Sequence, residues 1–229
     1  MMLSILCVTK GESYARPFIQ DMLRLAYSIG AEVVLAADGP TAMCNLRAWN
    51  TSARLVRVDS KGYIESVLDE AVDACRGVYI LRLDDDERCS PAMEKWLDEV
   101  QYTQDVHWKF PRAHFWKDLR TCIINPPLWP DHQTRLSVKE MSGGRRTVHA
   151  GSPFGGGRLA PVVLEHHKFL IKSYEERLAI AKVYDSVHPG YGTGGMRPFS
   201  LPEDVYRQEE LHLVTPHHCD FLARTDASA

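Results

Sequence analysis

The chain has 229 residues, 45% of them apolar, and a formal net charge of −3 at pH 7. This length and composition fit one large α/β domain and exclude a disordered chain. Because the charge leaves no broad basic surface, duplex nucleic acid is not the expected partner.

Cysteine usage and hydropathy indicate the cellular compartment of the protein. The six cysteines are scattered without a CxxC pair, a pattern typical of reduced thiols in a cytosolic protein. The N-terminal run MMLSILCVTK is too short for a signal peptide and lacks a basic leader. No stretch approaches the roughly 18 apolar residues of a membrane span. We therefore predict a cytoplasmic protein without a transmembrane segment, and peripheral contact with a membrane stays open.

The first half of the chain alternates between strand and helix patterns. Short β-rich apolar runs predict strands at 3–9, 32–38, 53–59 and 78–84. Helices are predicted near 15–29 and 63–75, and another after Ser90, which suits an N-cap position before Pro91. Near-continuous apolar strands separated by helices predict a mostly parallel central sheet flanked by helices.

The second half has a different character. The segments 107–118 and 133–139 predict strands of a smaller, more antiparallel region, joined by the proline-rich loop INPPLWPDHQ. The glycine- and arginine-rich stretch 142–158 is predicted to be mobile. A helix is predicted at 172–187, and the last 30 or so residues are predicted to be loosely organised.

Acidic residues follow several predicted strands. The run YILRLDDDE ends in Asp84, Asp85 and Asp86, and Asp38 and Asp59 follow two other strands. Ligands of open α/β sheets bind outside the carboxyl ends of the strands. Adjacent carboxylates repel one another unless a cation neutralises them, and Mg²⁺ or Mn²⁺ commonly takes one or two carboxylates plus phosphate oxygens. The aspartate triplet therefore predicts a cation site, with a solvated acidic turn as the alternative, whereas Asp59 is more simply a turn residue.

Several stretches, in their order and spacing, resemble the family-2 glycosyltransferases. They are ILCVTKGE, EVVLAADG, GYIESVLDEAVDACRGVYILRLDDDE, WPDHQTRLSVK, TVHA and LEHHKFLIKSYEERLAIAKVY. The resemblance covers roughly residues 3 to 187 and departs at Asp69, where Asn is frequent, and at Ala150, where the family has Glu. It implies the Rossmann-like GT-A fold, a nucleoside-diphosphate sugar donor with a UDP-sugar favoured, a Mn²⁺ or Mg²⁺ cofactor, and inverting transfer to a hydroxyl.

The resemblance also implies roles for individual residues. Those on the donor side are Thr9, Glu12 and Asp38 around the base, Asp84 at the ribose, and Arg135 at the diphosphate or an anionic acceptor. Asp86 is implied as the metal ligand, with a histidine as second ligand. The candidates for that histidine are His149 and His166, which are favoured, and His167.

Inverting transfer needs a base that takes the proton of the acceptor hydroxyl. The resemblance implies Asp131 for this catalytic role, because its position and flanking residues match. A helix-cap role for Asp131 is the structural alternative, and the acidic pair Glu203–Asp204 is the rival base. The acceptor itself is not indicated: lipid-linked sugar, polysaccharide, protein, small molecule and modified nucleic acid all stay open.

We predict a single GT-A domain over 1–229, divided into a nucleotide-sugar-binding half at 1–105, an acceptor half at 106–190 and a C-terminal extension at 191–229. Other functions compete with it. A nucleotidyltransferase would carry a glycine- and lysine-rich loop after the first strand, which VTKGESYARP lacks. A non-catalytic nucleotide- or carbohydrate-binding module is disfavoured by the retained Asp86 and Asp131. A structural zinc site is the third alternative, formed by His212, His217, His218 and Cys219.

Overall fold

The computed structural model describes residues 3–100, 102, 107–126, 128–142, 157–195 and 212–227. The strands are β1 (Leu3–Thr9), β2 (Glu32–Asp38), β3 (Arg54–Val58), β4 (Tyr79–Arg82), β5 (Glu87–Cys89), β6 (Trp108–Phe115), β7 (Cys122–Ile123), β8 (Asp131–Val138), β9 (Arg158–Leu159), β10 (Leu164–His166) and β11 (Leu213–Val214). The α-helices are α1 (Ala15–Ile29), α2 (Gly39–Ala48), α3 (Leu68–Asp73), α4 (Pro91–Glu99), α5 (Lys139–Ser142), α6 (Lys168–Ile171), α7 (Tyr174–Val187) and α8 (Pro216–Ala227). A 3₁₀ turn (Ile64–Val67) precedes α3, and a π-helical turn (Tyr191–Gly195) follows α7.

One 11-stranded sheet runs through the described structure, with the main order β11-β7-β6-β8-β4-β1-β2-β3. β1 pairs in parallel with β2 and β4, and β2 pairs in parallel with β3. β4–β8, β8–β6 and β6–β7 are antiparallel. The predicted α/β class is therefore confirmed: parallel strands form the centre, helices flank them, and an antiparallel region adjoins β4.

The central strands are buried on both faces. Along β1, Ile5 and Cys7 belong to one apolar cluster, and Leu6 and Val8 belong to a second cluster on the opposite face. This follows from the two-residue period of a strand, since alternate side chains point to opposite faces. Helices must therefore cover both sides, which explains why these strands are continuous apolar runs in the sequence.

The helix boundaries follow local signals in the sequence. α1 buries Ile19, Met22 and Ala26, whose spacing places them on one helical face. The helix ends at Gly30, which adopts a left-handed conformation with φ of 66°. Ser90 caps α4, as predicted, by accepting a hydrogen bond from the backbone N–H of Met93 at 3.1 Å.

The structure differs from the sequence-based prediction in several regions. Helix α2 follows β2 directly, where the sequence predicted no element, because its opening Gly-Pro is also a common turn signal. Asp131 is the first residue of β8 rather than part of the proline-rich loop. Residues 213–227, predicted to be loosely organised, form β11 and α8, where Cys219 is buried with Phe115 in a small core.

Most of the stretch 142–158 lies outside the described residues. The helices that the structure describes include none that combines the length and the hydropathy needed to traverse a bilayer. β4 pairs directly with β8, so the sheet is continuous across the two predicted halves of the chain.

Candidate active site

A cavity of about 330 Å³ opens at the carboxyl ends of β1, β2 and β4. Its walls come from these strand ends, the loop before the 3₁₀ turn, and the segment from the end of β10 through α7. This is the edge at which open α/β sheets bind their ligands. The sequence placed its acidic candidates here, and the structure brings most of them together.

Two of the three adjacent aspartates are held by different partners. Asp84 accepts a hydrogen bond from Arg135 Nη2 at 2.5 Å, whereas Asp85 accepts from Thr9 Oγ1 at 2.7 Å and from the Tyr14 hydroxyl at 3.3 Å. Burial acts to raise the pKa of Asp84, but nearby guanidinium groups led by Arg135 outweigh it and lower that pKa. Burial, with the charge of Asp86 added, raises the pKa of Asp85 to about 7. Separate partners therefore reduce the mutual repulsion of the triplet.

The third aspartate faces a histidine and two lysines. Asp86 is 7% exposed, and its Oδ1 lies 3.5 Å from His166 Nε2. Burial lowers the pKa of His166 to about 3, with the charge of Arg112 acting in the same direction, so the imidazole is neutral near pH 7. Lys168 and Lys172 line the same cavity. Acidic and basic groups thus face each other across its interior.

A buried ion network lies directly behind the triplet. The Glu87 side chain is fully buried and accepts from Arg135 Nη2 at 2.6 Å, from Arg135 Nε at 2.9 Å and from Arg112 Nη1 at 3.2 Å. Arg112 also donates from Nε to Asp131 Oδ2 at 2.8 Å. Arg135 therefore supports Asp84 from behind and is not part of the cavity wall. Sequence reasoning missed Glu87 and Arg112. Glu87 follows the aspartate triplet directly, and Arg112 lies within the predicted strand 107–118.

Asp131 lies at the start of β8, outside the cavity wall. Besides Arg112, it accepts from Gln133 Nε2 at 2.7 Å and contacts His114 Nε2 at 3.1 Å. Burial acts to raise its pKa, but Arg112 and these hydrogen bonds outweigh burial and hold the pKa well below its usual range. Asp131 is thus an ionised carboxylate with several donors. Its role as the base stays a prediction.

The donor-side candidates surround the other end of the cavity. Asp38 accepts from the Ser60 backbone N–H at 2.8 Å and from the Ser60 hydroxyl at 2.7 Å. Glu12 is half exposed, with Oε2 3.9 Å from Lys172 Nζ. The predicted site residues that line this one cavity are Thr9, Glu12, Asp38, Asp84, Asp86 and His166.

The remaining candidates lie elsewhere. His149 and the rival base pair Glu203–Asp204 are outside the described residues. Asp59 is exposed and pairs with Arg57 at 3.1 Å, as expected for a surface turn. The four residues of the zinc alternative do not form a site, because Cys219 is buried while the three histidines are exposed. Those histidines are His212, His217 and His218.

The cavity fits a divalent cation. No three His, Cys, Asp or Glu side chains within the described ranges form a ready-made metal group. Cations that act with nucleotides, however, take only one or two protein ligands and complete their shell with phosphate oxygens and water. Adjacent ligands of an octahedral ion, each about 2.1 Å away, lie about 3 Å apart. Asp86 Oδ1 and His166 Nε2, 3.5 Å apart, come close to that separation. The Asp86 carboxylate suits Mn²⁺ or Mg²⁺, whereas an imidazole ligand suits transition metals.

Comparisons with known proteins return distant structural likenesses. No family model and no curated protein matches the chain. S. aureus TarS 1–349 is similar with a TM-score of 0.47 and 13% identity, over 91% of this chain and 77% of that one. The complex of TarS 1–349 with UDP gives 0.45 and 12%, over 89% and 73%. HddC from Yersinia pseudotuberculosis gives 0.42 and 8%, over 72% and 92%.

Proposed function

We propose that this chain is a family-2 glycosyltransferase of the GT-A fold, which moves a sugar from a nucleoside-diphosphate sugar to an acceptor hydroxyl with inversion. The observation that carries the proposal is the cavity at the ends of β1, β2 and β4. It holds the aspartate triplet and, facing it, Lys168, Lys172 and Arg112. Its volume of about 330 Å³ is in the range of small-molecule sites, about 300–1,000 Å³. Opposed acidic and basic walls suit a ligand that carries both hydroxyls and phosphates.

The residues of the donor side divide the work of binding a nucleotide. The oxygens of Asp38 keep acceptor capacity beyond their bonds to Ser60, so they can accept from an N–H of the base. Asp84, oriented by Arg135, can accept from ribose hydroxyls. A UDP-sugar is the donor that the family resemblance favours, and the uracil N–H can donate to the Asp38 carboxylate.

The phosphate side combines basic residues with the cation ligands. Mn²⁺ or Mg²⁺, held by Asp86 and His166, would act as a Lewis acid that stabilises the negative charge of the departing nucleoside diphosphate. Lys168, Lys172 and Arg112 add positive charge to the same part of the cavity wall. Because these groups are largely buried, they need little reorganisation as charge develops on the leaving group.

The acceptor side must supply a base. An inverting displacement needs a base that receives the acceptor proton, and Asp131 remains the residue predicted from the sequence. It lies on the antiparallel side of the sheet, next to Arg112.

Nucleotide binding tests the proposal directly. Calorimetry should detect binding of UDP in the presence of Mn²⁺ and little binding after addition of a chelator. Asp86→Ala should remove the cation dependence, whereas the matched control Asp59→Ala, at an exposed acid outside the cavity, should keep it. Equal UDP affinity with and without Mn²⁺ would contradict the cation role. Failure of the wild-type protein to bind any nucleoside diphosphate would refute the nucleotide-dependent function.

Turnover separates a transferase from a binding module. Incubation with a panel of nucleotide sugars and Mn²⁺ should give slow hydrolysis of one donor, since water substitutes for the missing acceptor. Asp86→Ala should abolish this hydrolysis. Tight binding of a nucleotide sugar without any hydrolysis, at several protein concentrations, would favour a non-catalytic module.

A further inference from the structure

Four side chains connect the base predicted from the sequence with the cation ligand of the cavity. His114 Nε2 lies 3.1 Å from Asp131 Oδ2, and His114 Nδ1 lies 2.7 Å from His166 Nδ1. His166 Nε2 in turn lies 3.5 Å from Asp86 Oδ1. The two imidazoles are 0% and 3% exposed, and their rings meet edge to face with centroids 4.7 Å apart. The row joins β8, β6, β10 and the turn after β4.

The hydrogen positions along this row follow from donor and acceptor chemistry. Burial disfavours charge on either ring, and a neutral imidazole carries a single N–H. The carboxylate of Asp131 can only accept, so the hydrogen of His114 is on Nε2. His114 Nδ1 is then an acceptor, and the 2.7 Å contact requires that His166 donates from Nδ1.

The consequence appears at the far end of the row. With its hydrogen on Nδ1, His166 presents the lone pair of Nε2 towards Asp86 Oδ1. Two electron-rich atoms at 3.5 Å favour a positive charge between them. Imidazoles that bind metal characteristically donate their other N–H to a partner, which fixes both the tautomer and the orientation of the ring. His114 provides such a partner.

We propose that His114 and Asp131 are positioning residues, which hold His166 in the tautomer whose Nε2 is unprotonated and directed at the position that a cation bound by Asp86 would occupy. This inference rests on the proposed function, because the cation belongs to the donor site. Arg112 anchors the far end of the row through its 2.8 Å bond to Asp131. Asp131 then acts through His114, a role distinct from that of the general base.

The tautomer can be measured without any variant. In ¹⁵N-labelled protein at pH 7, without added metal, long-range proton–nitrogen spectra of the histidine rings distinguish the two neutral forms. We expect His114 to carry its hydrogen on Nε2 and His166 to carry its hydrogen on Nδ1. A hydrogen on His166 Nε2 would overturn the proposal, whatever the variants below show.

The second readout is the affinity for Mn²⁺ in the presence of saturating UDP. It is measured from the electron paramagnetic resonance signal of the free Mn²⁺. His114→Phe keeps the ring shape but removes both nitrogens, and it should weaken Mn²⁺ binding about 10- to 100-fold, the usual effect of losing an outer partner of a ligand. His107→Phe, at an imidazole that is 3% exposed and outside the row, is the matched control. Circular dichroism confirms that each variant is folded.

Two substitutions at Asp131 separate positioning from base catalysis. Asp131→Asn can keep an oxygen at the position that accepts a hydrogen bond from His114, so it should retain most of the Mn²⁺ affinity. Asp131→Leu has no such oxygen and should weaken Mn²⁺ binding about 10- to 100-fold. A pure base predicts unchanged Mn²⁺ affinity in both variants, and a loss of donor transfer of about 10²- to 10⁴-fold. Unchanged affinity in Asp131→Leu and His114→Phe would overturn the inference while the wild-type binding upholds the proposed function. Absence of Mn²⁺ binding by the wild type would overturn both.

Discussion

The parallel and antiparallel regions of this sheet are both buried, but they bury different chemistry. In the parallel region, β2 buries an apolar run such as Val34 and Leu35. In the antiparallel region, strands β5, β6 and β8 bury Glu87, Arg112 and Arg135. Apolar burial is non-directional and scales with area, whereas a buried charge depends on particular partners. The first region should therefore tolerate changes that conserve volume, and the second should tolerate few single changes.

The largest effect is expected where a buried charge loses its partner. Arg135→Met leaves Glu87 and Asp84 without their main guanidinium, so it should lower the free energy of unfolding by about 3–5 kcal/mol. Urea denaturation measures this change. Arg57→Met, which removes an exposed ion pair with Asp59, should cost less than about 1 kcal/mol.

A double variant tests whether the unpaired charge of Glu87 causes this loss of stability. Glu87→Gln combined with Arg135→Met removes both charges and should recover part of the lost stability, because much of the single-variant cost is an uncompensated charge. A cost for Arg135→Met as small as that of Arg57→Met would contradict the contrast between the two regions.

In the parallel region, truncating a core side chain should lower the free energy of unfolding without any contribution from charge. Leu35 is fully buried, and Leu35→Ala should lower the free energy of unfolding by about 2–5 kcal/mol through lost contacts and a residual cavity. Leu35→Met conserves volume and should cost less than about 1.5 kcal/mol. Thermal and urea unfolding of both variants measure this difference. The expectation fails if Leu35→Met is as damaging as Leu35→Ala.

The smallest loss of stability is expected at an exposed helix cap. Ser173 and Glu176 form a reciprocal capping box at the start of α7, one of the helices that line the cavity. Ser173→Ala should cost about 1 kcal/mol of stability, and Ser173→Asp, which keeps a capping oxygen, should cost less. UDP affinity should change little in either variant, since Ser173 itself does not line the cavity. A large loss of UDP affinity in Ser173→Ala would show that the cap positions the cavity wall.

Local patterns in the sequence were sufficient for much of the fold. The bounds of β1, α1 and β2 agree with the prediction, because apolar periodicity reports directly on which face of an element is buried. The Ser90 cap and the capping box of α7 are short-range features that neighbouring residues specify. The aspartate triplet at the end of a strand also predicted the edge of the sheet at which the cavity lies.

The charge partners had no such local signal. Arg135 and Glu87 are 48 residues apart in sequence, and His166 and His114 are 52 apart. The sequence indicates that a charged residue lies within an apolar strand, but not which opposite charge neutralises it. α8 was missed for a related reason, since its burial depends on contact with β6 and β7 rather than on a strong pattern of its own.

Residue patterns alone were enough to predict the α/β class, the order of the central strands along the chain and the acidic edge at which the cavity lies. Those properties depend on the periodicity of side chains along one segment. The packing of distant segments established that Glu87 and Arg112 join the site, that Asp131 lies behind His114, and that His166 faces Asp86. These are pairings between distant segments, and because burial makes each unpaired charge costly, they follow from how the strands of the sheet are packed together.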